Sequence, residues 1–499
     1  GFKTKLQAHG SPGNLIDLYA SADIPECETF GSMPFDIKGF RREEENIRTG
    51  DADPVMLKFS SSAGHIAGKP LISSETFTWL REHFKTALSQ AKPEAEELLL
   101  NGVNHIFLHG STYSPQRAGW PGWKFYASVN FSPKNTIWKD ASALFGYLGN
   151  VQSVLQEGKA DNETLLYWPI YDQYNSYKDG NLFFQFKIHS LNEWLLDTPF
   201  YETTNTLMDK GYGVDFLSDA FLKQAKVENG NIVLPGGTYK ALVIPDCEFM
   251  PLASLEKLVA LKNAGASVIF TGLPESVPGY FEYEQQTAAL QDLIAKNNLA
   301  ITALESGLRA AEVHPETLVG SGLKFIRRAE GNSKIYYLVN HTSEAIDTYI
   351  PLSGHVDNAV LLDPLTRKVG TAAVRTIEGQ AEVKVQIASG DALILKTNWS
   401  LPEEHWAYTT PMAEGIPLET EWNINFEEGG PVLPEAATLS SLKSWTTLGA
   451  DAEHFSGTAT YTTTFTKPES EAGTWQLDLG DVRESAAVWL NDNYIGTAW

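Results

Sequence analysis

The chain has 499 residues, more than one hydrophobic core usually serves, so two to four domains are expected. Its 62 acidic against 38 basic residues leave a net charge of −24, which argues against nucleic-acid backbones and anionic membranes as partners. Two cysteines, Cys27 and Cys247, cannot build a disulfide framework or a CxxC metal site, and no run of about 18 apolar residues is present to span a membrane.

GFKTKLQAHG reads as a strand already under way, without an initiator Met, and ends at His9 and Gly10. NLIDLYA gives a helix turn and ADIPE a second short strand. In DPVMLKFSSSAGHIAG, Val55, Met56, Phe59, Ala63 and Ile66 recur at helical spacing, with Pro54 near the start and Gly68 near the end. PLIS reads as a third strand, followed by SSET and a long helix through Phe77, Leu80, Phe84 and Leu88. VNHIFLHG is a fourth strand, and after an aromatic loop TIWKDASALFGYLGNVQSVLQ is a helix. Strands and helices in alternation predict a parallel sheet. His9, Glu26, Glu28, Glu75 and His109 fall at or just after strands; in a parallel barrel such positions line one face, where active sites lie.

Residues 160–300 read as a second, doubly wound α/β unit, with strands in LLYWPIYD, VDFLSD, KALVIPDC and SVIFTG. PLASLEKLVALKNAG is its amphipathic helix, running from Pro251 to Gly265. GTYKALVIP does not match GxGxxG, so no nucleotide is expected. Residues 315–400 switch to strands only, as in a small β-sandwich. A Pro- and Glu-rich linker, PEEHWAYTTPMAEGIPLE, leads to a last β segment with strands in TATYTTTFT, TWQLDLG and AAVWLNDNYIG. That segment stops in mid-pattern, so both chain ends are expected to be cuts from a longer protein.

Glu26, Glu28 and Glu75 could supply the paired carboxyl groups that glycoside hydrolysis needs, one to protonate the leaving oxygen and one to attack or to activate water. The bland alternative makes Glu28 or Glu75 a helix N-terminal carboxylate, with Ser73 or Ser74 as the cap. The histidines His9, His65, His105 and His109 show no metal spacing; His109 would point into a barrel mouth, whereas His65 and His105 read as structural. HGSTYSPQRAGWPGWKFYASVNF carries Tyr113, Trp120, Trp123, Phe125 and Tyr126. These rings could stack on a sugar or pack on one another. No GxSxG elbow supports serine hydrolase chemistry.

QAHGSPGNLIDLYASADIPECETFG, KFSSSAGHIAGKPLISSETFTW, GVNHIFLHGSTYSPQRAGWPGWKFYASVNF and LLYWPIYDQY together resemble glycoside hydrolase family 106, the α-L-rhamnosidases, over roughly residues 5–175. The resemblance implies a (β/α)8 barrel that removes terminal α-L-rhamnose from plant-type or complex glycans by inversion, with calcium near the sugar hydroxyls and a secreted or periplasmic setting. It implies Glu28 as the base and Glu75 as a further active-site carboxylate that holds sugar hydroxyls or metal, with Glu26 on the metal side. It places the general acid on an earlier strand, before Gly1, so this chain alone is expected to be inactive. His9, His109, Tyr113, Trp120 and Trp123 are the expected sugar-binding residues. Cys27 departs from the family, which often has glycine there, and RREEENIRTGD reads as a solvated insertion.

The resulting expectation is a multidomain α/β plus β protein. Residues 1–160 are the C-terminal half of the barrel, 161–310 an α/β domain similar to the flavodoxin-like domain of β-galactosidase-type enzymes, and 311–400 a small β-sandwich. Residues 401–417 are a linker, and 418–499 resemble part of a galactose-binding-like β-sandwich. Two further readings stay open: a retaining β-galactosidase-like enzyme with Glu75 as nucleophile, and a non-catalytic carbohydrate-binding protein.

Overall fold

Four short strands form the first sheet of the computed structural model: β1 (Lys5–Gln7), β2 (Ile24–Glu28), β3 (Ser73–Thr76) and β4 (His105–Leu108), side by side in that order. β1 runs parallel to β2, and β2 to β3. Helices α1 (Leu15–Ser21), α2 (Pro54–Ala67), α3 (Leu88–Leu100) and α4 (Trp138–Leu155) follow the strands one by one. The structure describes residues 1–30, 33–48, 53–80, 83–175, 185–410, 415–467, 469 and 474–499; Gly31 of the IPECETFG motif and residues 49–51 of the acidic insertion lie outside them. Among the described residues the four strands form an open row and no closed barrel. The row is nevertheless curved. Laid flat, β1 and β4 would stand about 14 Å apart at the usual strand spacing, yet the Lys5 ammonium lies 3.7 Å from the centre of the Phe107 ring.

Two compact units are present. One comprises Gly1–Thr76, Lys92–Phe107 and Gly146–Trp406, the other Phe77–Ala91, Leu108–Phe145 and Ala407–Trp499. In the first unit, a second sheet has the order Ser267–Phe270, Ala241–Ile244, Thr164–Tyr167, Val214–Leu217, all parallel. Three of these strands are buried throughout, as expected where helices cover both faces. The same unit holds a six-stranded antiparallel sheet centred on Ser333–Val339 and Ala392–Thr397 and a three-stranded one centred on Gln380–Ile387. Tyr336, Leu338, Leu395, Ile350, Val383 and Val385 belong to one core between them. In the second unit, Trp422–Gly430 is the middle strand of three, and Ala486–Leu490 pairs with Asn493–Ala498 as a hairpin.

α2 joins the first two sheets. Asp53 caps it, accepting from the N–H groups of Val55 and Met56, Pro54 opens it, and Gly68 ends it in the left-handed region. Every residue from Val55 to Gly64 is buried, because one side of the helix meets β2 and another the strand Val214–Leu217. One of its polar residues reaches the second sheet. His65 Nδ1 lies 2.8 Å from Asp215 Oδ1, and Tyr239 donates to Asp215 Oδ2 at 3.0 Å. Gly236 donates its N–H to Ile66 O, and a Cβ there would stand 1.8 Å from His65 O.

Several sequence expectations shift. The third strand is SSET itself, not PLIS, so Glu75 sits within a strand and not at a helix N-terminus. No helix runs through Phe77, Leu80 and Phe84: Phe77 and Phe84 have φ of 73° and 63°, and the helix begins at Leu88 and continues past Pro93. Phe77 meets Trp79 edge-on and Phe131 at a tilt. The 315–400 stretch holds a 3-10 turn at Thr317–Ser321 and two short strands beyond those read from the sequence, Val369–Thr371 and Val374–Ile377. TWQLDLG lies in no strand. No helix among the described residues is long and apolar enough to cross a membrane.

A buried ionic cluster ties α3 to the antiparallel sheets of the first unit. Glu96 accepts from Lys92 at 2.7 Å and from Tyr147, and its other oxygen lies 2.9 Å from His341 Nε2. His341 Nδ1 faces Glu97 at 3.1 Å, and Lys324 also reaches Glu97. Burial alone would raise the pKa of Glu96, but Lys92 and His341 outweigh it and hold the carboxyl at about 2. Burial alone would lower that of His341, but Glu96 and Glu97 outweigh it and the pKa is raised. Glu96 therefore contributes stability above its ordinary 4.5 that fades as pH falls toward 2, and His341 contributes stability below its ordinary 6.5 that fades as pH rises through its elevated value. We expect the cluster to contribute most between those two ordinary values. His341→Gln should cost about 3 kcal/mol in that window, and the gap to wild type in urea denaturation should narrow on the alkaline side. A gap that does not vary with pH would contradict this. Gly236→Ala should destabilise by about 3 kcal/mol in the same assay, since the added methyl meets backbone atoms; wild-type stability would show that the close approach relaxes freely.

Candidate active site

Side chains in a strand alternate between faces. Lys5 and Gln7 of β1, Glu26 and Glu28 of β2, and Ser73 and Glu75 of β3 therefore share one face, and His9 follows two residues beyond Gln7. The register lines them up in rows: Gln7, Glu26 and Ser73 in one, Glu28 and Glu75 in the next. The contact of Lys5 with Phe107 makes this the concave face. Cys27 points the other way, into a core with Leu57, Ile72, Leu98 and Val103. Its Sγ contacts Ser73 O at 3.7 Å, and burial pushes the thiol up to about 11. In the sequence Glu-Cys-Glu, then, the two outer residues face the concave side and the middle one is helix-side core.

Glu28 is held by one oxygen. Its Oε2 lies 2.8 Å from His9 Nε2, and His9 Nδ1 lies 3.3 Å from the Tyr19 hydroxyl. Tyr19 is fully buried, and burial first, then the neighbouring Cys27 and Glu28, drives its pKa up, so it keeps its proton. The Glu28 carboxylate can only accept, which places a proton on His9 Nε2, and Nδ1 of the neutral ring then accepts from the Tyr19 hydroxyl. The second oxygen of Glu28 has no protein partner among the described residues. A carboxylate anchored at one oxygen and open at the other can accept a proton from a water on the concave face.

Glu26 is differently placed. Its Oε2 takes the Lys5 ammonium at 2.7 Å and the Ser73 hydroxyl at 2.8 Å, and its Oε1 accepts from Gln7 Nε2 at 3.2 Å. The same Gln7 amide donates to Glu75 Oε2 at 2.8 Å, bridging the two carboxylates. With both oxygens engaged and a cation already against one, Glu26 does not fit a calcium ligand. Among the described residues no group of three or more His, Cys, Asp or Glu side chains is arranged to hold a metal ion. Lys5, Gln7, Ser73 and Tyr19 were not expected at the site. Lys5, Gln7 and His9 carry a signal, a period of two in KTKLQAH; Ser73 and Tyr19 carry none.

His109, Tyr113, Trp120 and Trp123 belong to the second unit. His109 meets Phe125 edge-on, with ring centres 5.2 Å apart. Tyr113 is almost fully exposed, and Trp120 and Trp123 about half. The loop that carries them is built around Asn130, a buried residue at φ 60° that the sequence did not single out. Its Oδ1 accepts from the Thr112 hydroxyl and the Phe125 N–H, both at 3.2 Å, and its Nδ2 donates to Ser128 O at 3.0 Å and faces His83 Nδ1 at 3.1 Å. Ser114 accepts from the Trp123 N–H at 2.8 Å. The aromatic rings therefore project from a backbone fixed from within. His65 sits where the structural reading put it, on Asp215; His105 does not lie in the core but is half-buried against Phe107 on the concave face, with its pKa lowered by burial and by Lys5.

A rhamnosidase from Novosphingobium sp. PP1Y has a similar fold, with a TM-score of 0.72 at 20% identity over 97% of this chain. A protein of Formosa agariphila, provisionally named a beta-glucuronidase, is 23% identical over 359 residues, or 69% of this chain. The chain spans 45% of the length of the first and 27% of the second. The sequence profile of glycoside hydrolase family 106, alpha-L-rhamnosidase, matches residues 20–178 and 188–372, and so takes in β2, β3 and the carboxylates they carry. With more than half of the chain inside that profile, the protein belongs to glycoside hydrolase family 106.

Proposed function

We propose that the chain carries the water-activating half of an inverting α-L-rhamnosidase acting on terminal α-L-rhamnose of plant-type or complex glycans in a secreted or periplasmic setting. Its four-stranded curved sheet is then the C-terminal half of a (β/α)8 barrel, the parallel sheet beside it a flavodoxin-like domain, and the last β segment part of a galactose-binding-like sandwich. The observation that carries the catalytic reading is the one-sided anchoring of Glu28, with Oε2 on His9 and the other oxygen open.

In this mechanism Glu28 takes a proton from a water as that water attacks the anomeric carbon. The general acid would stand about 6.5–9.5 Å away across the sugar; it is assigned to no residue of this chain. His9 keeps the Glu28 carboxylate turned toward the water, and buried Tyr19 holds the other ring nitrogen of His9. Glu75, paired through Gln7 to Glu26, lies one strand from Glu28 and holds sugar hydroxyls. The exposed aromatics Tyr113, Trp120 and Trp123, with His109, bind the sugar faces. No step passes through calcium.

In the full-length protein, Glu28→Gln should lower kcat on an aryl α-L-rhamnoside by about 10³-fold without changing the melting temperature, and near-normal turnover would remove Glu28 from the role of base. The first product seen by NMR should be β-L-rhamnose; α-L-rhamnose appearing first would instead favour a retaining reaction.

A further inference from the structure

Trp120 rests on something the sugar-binding reading leaves unexplained. A Cβ built on Gly430 would lie 3.0 Å from Trp120 Cδ2, 3.1 Å from Cε3 and 3.4 Å from Cε2. Cδ2 is bonded in the ring plane to three other ring atoms, so no in-plane approach to it is possible. A point that close to Cδ2 and to two of its bonded neighbours must lie over the flat face of the indole. The backbone of Gly430 is therefore the bed on which one face of Trp120 lies. Gly430 is buried at the end of the strand Trp422–Gly430, opposite Ser456. Trp120 itself is 47% exposed, so one face is covered and the rest is open to solvent.

An indole with one face backed by protein is a rigid stacking surface. The C–H-rich face of a pyranose is apolar and slightly positive at its hydrogens, which suits the negative face of the ring. We propose that Gly430 is a positioning residue for sugar binding: it sets the height of the Trp120 ring, and through it the C-terminal β segment takes part in recognition. The proposal rests on the reading of Trp120 as a sugar platform. Ordinary carbon–carbon contacts lie at about 3.5–4.0 Å, so even one methyl at position 430 lifts or tilts the ring.

The test compares KM and kcat on an aryl α-L-rhamnoside for the full-length wild type, Gly430→Ala, Gly430→Val, Trp120→Ala and the double variant Gly430→Val/Trp120→Ala. KM should rise about threefold in Gly430→Ala and about tenfold in Gly430→Val and Trp120→Ala, with kcat held within about twofold; the double variant should match Trp120→Ala, as sites acting through one contact are not additive. The milder alanine keeps the test alive should valine unfold the strand. Wild-type KM in both Gly430 variants, with Trp120→Ala impaired, overturns the role of Gly430 and leaves the platform standing. An unchanged KM in Trp120→Ala overturns the platform reading, and the proposal with it. A loss of kcat and melting temperature on substituting Gly430 that persists in the Trp120→Ala background assigns Gly430 to folding alone and likewise overturns the proposal.

Discussion

The candidate site depends on a single geometric constraint, the alternation of side chains along adjacent parallel strands. Three strands of three to five residues supply Lys5, Gln7, Glu26, Glu28, Ser73 and Glu75 to one face because their register is fixed, and a slip of one residue in β2 would send Glu26 and Glu28 into the core and Cys27 onto the open side. The register is in turn held by what lies behind it, the small core of Cys27, Leu57, Ile72, Leu98 and Val103. The two carboxylates of β2 then part company through their neighbours. Glu26 is neutralised by an ammonium and a hydroxyl, while Glu28 meets, among the described residues, an imidazole that a buried tyrosine orients. Identical side chains two residues apart thus acquire different chemistry from the adjoining strand.

Burying so many charged groups is costly unless each finds a partner. The first unit meets this by gathering them. Asp215 receives His65 and Tyr239, with Lys58 on the same buried helix adding a favourable charge. Glu96 and Glu97 share His341 and divide Lys92 and Lys324 between them. Both clusters sit where a helix of the first sheet meets another sheet. Their geometry is demanding, which favours one relative placement of helix and sheet over sliding alternatives.

Much of this was legible in the sequence. Pro54 and Gly68 bracket α2 as their backbone preferences dictate, and the short apolar runs of the second sheet are strands. The errors have physical causes. Phe77, Leu80 and Phe84 are spaced like a helix face, but Phe77 and Phe84 stand at positive φ and Phe77 packs on Phe131, a tertiary contact that local spacing cannot reveal. Serine before a carboxylate is good cap chemistry, which leaves a helix start open as an alternative for SSET; its Ser73, Ser74 and Glu75 pair with Glu26, Cys27 and Glu28 once β2 is alongside. Asn130 could not be found at all, since its importance lies in four hydrogen bonds that converge from residues up to 47 positions away.

Cys27 now has an explanation and a consequence. It occupies the inward position of β2, is 2% exposed, and its pKa of about 11 keeps it a thiol at neutral pH. Only the thiolate reacts readily, so this residue is silent toward alkylating reagents while the sheet is closed. Any opening that separates β2 from α2 would unmask it directly beneath the carboxylates. The departure at this position therefore places a chemical reporter of local breathing one residue from Glu28.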